Sequence, residues 1–159
     1  MTHTAPPMRS GLHYYLEQQF NSFHNFPIET DLDKLDADIA IIGIPFGDPY
    51  SMGEASNDQA FAPTHVRKHC GRALRGLDRY DFDIGGTLLD GKNIKVVDCG
   101  DVVGVAKDLA GNHGRSEQAI RKILASGALP IILGGDHAIP IPVFPEAKIA
   151  LEVSKPITS

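Results

Sequence analysis

The sequence predicts an α/β fold built around a mainly parallel sheet. Two observations carry that prediction: short apolar runs of the kind buried on both sheet faces, and amphipathic helical stretches alternating with them along the chain. Ligands of such folds bind beyond the carboxyl ends of the strands, so the loops after each run are where functional residues are to be sought.

The first core strand is Asp38 to Ile44, DIAIIGI, an isoleucine-rich run that stops at Pro45 and Gly47. A long loop, PFGDPYSMGEASNDQAFA, then leads to Pro63, which suits the first turn of a helix running to Gly76. The stretch from Asp78 to Lys92 carries Gly85, Gly86 and Asp90-Gly91 and reads as turns. Ile94 to Val97 forms a second strand, whose carboxyl end is marked by Asp98, Gly100 and Asp101. Arg115 to Ser126 places Ala119, Ile120, Ile123 and Leu124 on one helical face, with Ser116 as cap and Gly127 as stop. The run LPIILGG follows as a third buried strand. Upstream, the chain through Ser10 reads as a tail, and LHYYLEQQFNSF, Leu12 to Phe23, as a short amphipathic helix.

The chain has 159 residues, 42% of them hydrophobic and 22% charged, which is ordinary for one globular domain or part of one. A net charge of −5, with acids and bases interspersed, recommends neither a nucleic-acid nor an anionic-membrane partner. No apolar run reaches membrane-spanning length and the first ten residues lack a secretory core, so a cytoplasmic location is expected. Cys70 and Cys99 are then reduced thiols with no catalytic role.

The candidate chemistry lies in Leu133-Gly134-Gly135-Asp136-His137, where two glycines, a carboxylate and an imidazole follow a strand directly. Imidazole binds first-row metals, and a neighbouring carboxylate orients the ring or binds the ion itself. A structural turn is the competing reading, because one histidine is far short of a coordination shell. Asp98 and Asp101 are either supporting groups beside such a cleft or caps of a local turn. His65 and His69 share a helical face without a third ligand and are expected to be solvated; His113, in AGNHGR, is expected in an exposed loop.

The segment PIILGGDHAIPIPVF resembles the ureohydrolases, the agmatinase and arginase family, and so do DIAIIGIPFGDPYSMGEASNDQAFAPTHVRK and VVDCGDV, in that order. The resemblance covers roughly Asp38 to Phe144. It implies a three-layer α/β/α arrangement, truncated relative to the family fold, and hydrolysis of a guanidino compound, with agmatine the first candidate, to an amine and urea. It also implies two manganese ions as cofactor, with His137 as a metal ligand and Asp136, Asp101 and Asp98 as supporting groups, and a homo-oligomeric assembly. Downstream of His137 neither the family's Asp-Ala-His-x-Asp motif nor its Asp-x-Asp motif is present, so no catalytic residue is assigned and this chain alone is expected to be inactive. Around Asn57-Asp58-Gln59 the family's Arg-x-Gly pattern is missing, and Ala62 stands where a glycine is usual, which leaves the substrate open. The expected organisation is a tail and short helix over 1–30, a partial ureohydrolase domain over 31–144 and a divergent tail over 145–159. The alternative to the enzyme is a non-catalytic short form that pairs with full-length subunits.

Overall fold

The computed structural model describes residues 16–17, 21–47, 58–70, 80–105, 108–136 and 138–145. Strands β1 (Leu16–Glu17), β2 (Ile39–Ile44), β3 (Val96–Val102) and β4 (Leu129–Gly134) form one sheet in the order β1-β3-β2-β4. The pairs β2–β3 and β2–β4 are parallel, and β1 runs antiparallel to β3. Helix α1 (Ala62–Cys70) lies in the crossover from β2 to β3, and α2 (Leu109–Ala125) in the crossover from β3 to β4.

The crossover from β2 to β3 and the crossover from β3 past β2 to β4 step in opposite directions along the sheet, so right-handed connections place the helices on opposite faces and give three layers. Ala119, Ile120 and Ile123 of α2 are wholly buried and share a core with Ala40, Ile42, Ile44, Val97, Cys99 and Val102. Each large aliphatic side chain sealed there stabilises the fold by about 1.5–3 kcal/mol. The opposite face carries Ile41, Gly43, Asp98 and Asp101 and meets Pro63 and Arg67 of α1. The α1 side of β4 is less well covered, with Leu129 61% and Ile131 42% exposed on the sheet's outer strand.

Three expectations about elements are corrected. Within Leu12 to Phe23, expected as a helix, Leu16 and Glu17 pair with Val102 and Asp101 as a strand, and Phe23–Asn25 is a 3-10 turn with His24 and Asn25 at positive φ. The free edge of β3 supplies backbone partners that a short helix of weak propensity does not outcompete. The second strand does not end at Val97 but continues to Val102, all seven of its residues buried. Helix α2 starts at Leu109 rather than at Arg115: Asp108 caps it by accepting the N–H of Gly111 at 3.0 Å. Ser116 therefore lies inside the helix, buried, its hydroxyl donating to the carbonyl of Asn112. His113 is helical and half-buried rather than in an exposed loop, its ring 5.7 Å from that of Phe46.

The helix expected from Pro63 is observed as far as Cys70; its remainder to Gly76 falls outside the described residues. The stop at Gly127 is observed, with φ at +87°, a conformation only glycine adopts without strain.

Candidate functional site

β2, β3 and β4 direct their carboxyl ends to one side of the sheet. At β4 the chain turns through Gly134, Gly135 and Asp136. A side chain at Gly134 would overlap Ile139, which folds back over the turn and is itself buried. The Asp136 carboxylate accepts the N–H of Ala138 at 2.9 Å, and the Asp136 carbonyl accepts the N–H of Ile139 at 3.4 Å. His137 lies outside the described residues.

At β3 the arrangement is an ionic one. Asp98 and Asp101 are three residues apart, so an unbroken strand would point them to opposite faces. The register against β2 is broken between Ile41, which pairs with Asp98, and Gly43, which pairs with Asp101. One extra residue is thereby accommodated in β3, with Gly100 at a φ of +76°. The bulge turns both carboxylates toward α1. Gly43 leaves the room for this, since a methyl group there would overlap the Asp101 carboxylate.

Arg67 of α1 enters that space. Its Nε donates to Asp98 Oδ2 at 2.8 Å and its Nη2 to Asp98 Oδ1 at 2.9 Å, a two-bond fork. Nη1 donates to Asp101 Oδ1, and Nη2 also to the carbonyl of Gly100 at 2.9 Å. Asp98 accepts two further bonds, from the N–H of Phe23 at 2.7 Å and of Gly100 at 2.9 Å. Arg67, Asp98 and Asp101 are 2%, 1% and 3% exposed, so the charges compensate one another with little help from water. Burial pulls the Arg67 pKa down, but the bond to Asp98 and the charges of Asp101 and Asp98 outweigh it and leave it raised.

The network also ties in the preceding chain. Asp98 donates its N–H to the carbonyl of Pro27, and its own carbonyl accepts the N–H of Glu29. The Cys70 thiol accepts the N–H of His24 at 3.2 Å and donates to the carbonyl of Arg67 at 2.9 Å. Cys99 faces the α2 core, where burial first and the Asp98 charge second push its thiol up to about 12, leaving it protonated and inert. Both cysteines are free.

Of the sequence candidates, then, Asp98 and Asp101 are brought together on Arg67, while Asp136 stands at the turn after β4, on the far side of β2. Among the described residues no three His, Cys, Asp or Glu side chains come together in a way that could hold a metal ion. The described donors do not by themselves compose a manganese centre: Asp98 and Asp101 already share a buried guanidinium. His65 and His69 stack with ring centroids 6.2 Å apart on the exposed face of α1. His113 Nε2 is buried without a hydrogen-bond partner among the described residues.

Arg67 was not legible as a functional side chain. The signal that points to it is the acid pair itself, because two carboxylates in a buried strand require a cation, and the adjacent crossover helix supplies one.

Residues 37–156 match the model of the arginase family, a stretch that runs past Phe144, where the quoted motifs stop. The chain is 31% identical over 123 residues to the mitochondrial agmatinase of Gallus gallus, covering 77% of this chain and 33% of that protein. Among solved structures it resembles the proclavaminate amidino hydrolase of Streptomyces clavuligerus, with a TM-score of 0.65 at 21% identity, over 83% of this chain and 40% of the other. It also resembles a Trypanosoma cruzi formiminoglutamase solved with Mn2+, with a TM-score of 0.55 at 23% identity, over 79% and 42%. The chain thus spans about a third of the length of the curated agmatinase. The parallel sheet, the order of its crossovers and the matched residues agree: the chain belongs to the arginase family.

Proposed function

We propose that the whole protein hydrolyses a guanidino compound, with agmatine as substrate and putrescine and urea as products. The observation that carries the reading is the Gly134-Gly135-Asp136 turn at the carboxyl end of a parallel strand, with His137 next in the sequence, within a chain of the arginase family. The agmatinase and amidino hydrolase relatives support the guanidino class.

Manganese is the proposed cofactor, supported by the trypanosomal relative solved with Mn2+. His137 is proposed as this chain's metal ligand and Asp136 as the group beside it. The other ligands would come from outside the described residues, because Asp98 and Asp101 are held by Arg67. We place the partial family domain at 31–144, supported by Leu32 and Val143 at its two ends, one in the shared core and the other packed against it. A homo-oligomer and a cytoplasmic location complete the reading; no helix among the described residues is long and apolar enough to cross a membrane.

The test is a panel of agmatine, 4-guanidinobutyrate, arginine and guanidine, supplied with manganese to protein purified from its natural source, with urea as the readout. Urea from one or more of these supports the reading, and preference for agmatine supports the substrate. A folded protein that releases urea from none of them overturns it.

A further inference from the structure

The Asp98–Asp101 pair, the carbonyl of Gly100 and Arg67 have the chemistry of a receptor and its ligand. The receptor is a fork of two carboxylate oxygens on Asp98, one oxygen on Asp101 and one carbonyl oxygen, all converging on one plane-shaped cation. The ligand is a guanidinium, attached to the chain through the arginine stem on α1. Four donor–acceptor bonds reach it, and the surrounding side chains exclude water from it.

We infer that Asp98, Asp101 and the Gly100 carbonyl form a built guanidinium site, filled from within by Arg67, and that its occupation sets the bulge in β3. Arg67 is accordingly a positioning residue. It binds both carboxylates and the bulge carbonyl at once, so the bulge and the ion pairs form together. A tetrahedral ammonium does not match this set, because it lacks the planar fork that addresses both oxygens of Asp98 while reaching Asp101. The Asp-x-Gly-Asp spacing follows: glycine for the positive φ of the bulge, and an acid on each side of it to face the same cation.

The far side of the bulge is also fastened. The loop after β3 is held to α2, with the Arg115 Nε donating to the carbonyl of Val103 at 2.9 Å. Asn112 bonds both the N–H and the carbonyl of Val105, at 2.8 and 3.0 Å. Arg67 thus fixes one end of a segment whose other end is fixed independently, and loss of Arg67 is expected to loosen Gly100 and Asp101 before it loosens Val105.

The experiment is vacancy and refilling in the full chain. With Arg67→Ala, low-millimolar guanidinium chloride is predicted to raise the Tm by about 3 °C and to restore slow amide exchange at Gly100 and Asp101. Equal sodium chloride and equal urea do neither, and the unmutated chain, its site filled, gains nothing from guanidinium. Equal responses to sodium chloride, or an equal gain in the unmutated chain, would overturn the assignment. Where Arg67→Ala leaves no folded protein, recovery of the native circular dichroism on adding guanidinium becomes the readout, and failure to recover it overturns the assignment too. Arg67→Lys keeps the charge and removes the fork; it is predicted to lower the Tm and speed exchange at Gly100, and a Tm and exchange matching the unmutated chain would show that the planar cation is not required. None of these readouts uses turnover, so they stand or fall separately from the proposed hydrolysis.

Discussion

Replacing Gly43 with alanine tests the packing at the centre of this fold. A methyl group at Gly43 would overlap the carboxylate of Asp101 and come to 2.9 Å from Cβ of Pro63. Neither neighbour gives way easily, because the carboxylate is held by Arg67 and Pro63 is buried in the first turn of α1. Overpacking alone costs about 1–3 kcal/mol. If the carboxylate swings away instead, a buried ion pair is broken, at about 3–5 kcal/mol. Gly43→Ala is therefore predicted to destabilise the chain by about 3 kcal/mol, read as a lower midpoint in urea denaturation followed by circular dichroism. Gly114→Ala is the matched control. Gly114 lies inside α2 with open space where its Cβ would be, so the same change should stabilise by about 0.5–1 kcal/mol. Equal effects at the two positions, or a loss at Gly43 below about 0.5 kcal/mol, would refute the close approach of β2 and β3.

The core under α2 should respond to truncation: Ile120→Ala is predicted to cost about 2–5 kcal/mol in urea unfolding, since Ile120 is wholly buried. Asp108→Ala removes the acceptor for the N–H of Gly111 and a partner of Arg115, and a loss of about 1 kcal/mol is expected from the cap, with the first turn of α2 exchanging its amides faster. Cys99 makes stability pH-dependent on the alkaline side. Its thiol is raised from 9.0 to about 12 in the fold, so its contribution is intact below pH 9 and is lost as the pH rises toward 12. Each pH unit within that window removes about 1.4 kcal/mol, and the slope should shrink in Cys99→Ala.

The parts of the fold that were legible in the sequence are those whose signal is local. Ile39–Ile44 and Leu129–Gly134 were readable because an aliphatic run bounded by proline or glycine has few other uses. The carboxyl half of β3 was not, because Asp98 and Asp101 look like a strand's polar end until a distant arginine neutralises them. The first turns of α2 were hidden by Gly111 and Gly114, which weaken helix propensity although the buried Asn112 and the Asp108 cap hold those turns in place. β1 depends on pairing with residues more than eighty positions away, which no local pattern reports. For the site, the Gly134-Gly135-Asp136 turn was placed correctly at a strand end, whereas the commitment of Asp98 and Asp101 to Arg67 needed the bulge at Gly100, visible only once the register with β2 is known.

Manganese retention separates the two fates of Asp98 and Asp101 most directly. The 159-residue chain would be incubated with manganese, freed of excess ion by gel filtration, and its metal content compared with that of Asp98→Asn, Asp101→Asn and His137→Ala. With both carboxylates held by Arg67, the chain is predicted to keep well under one equivalent, and neither aspartate substitution should change that. Near-stoichiometric manganese that is lost on substituting Asp98 or Asp101 would contradict it, because the carboxylates would then belong to a metal ion and not to Arg67.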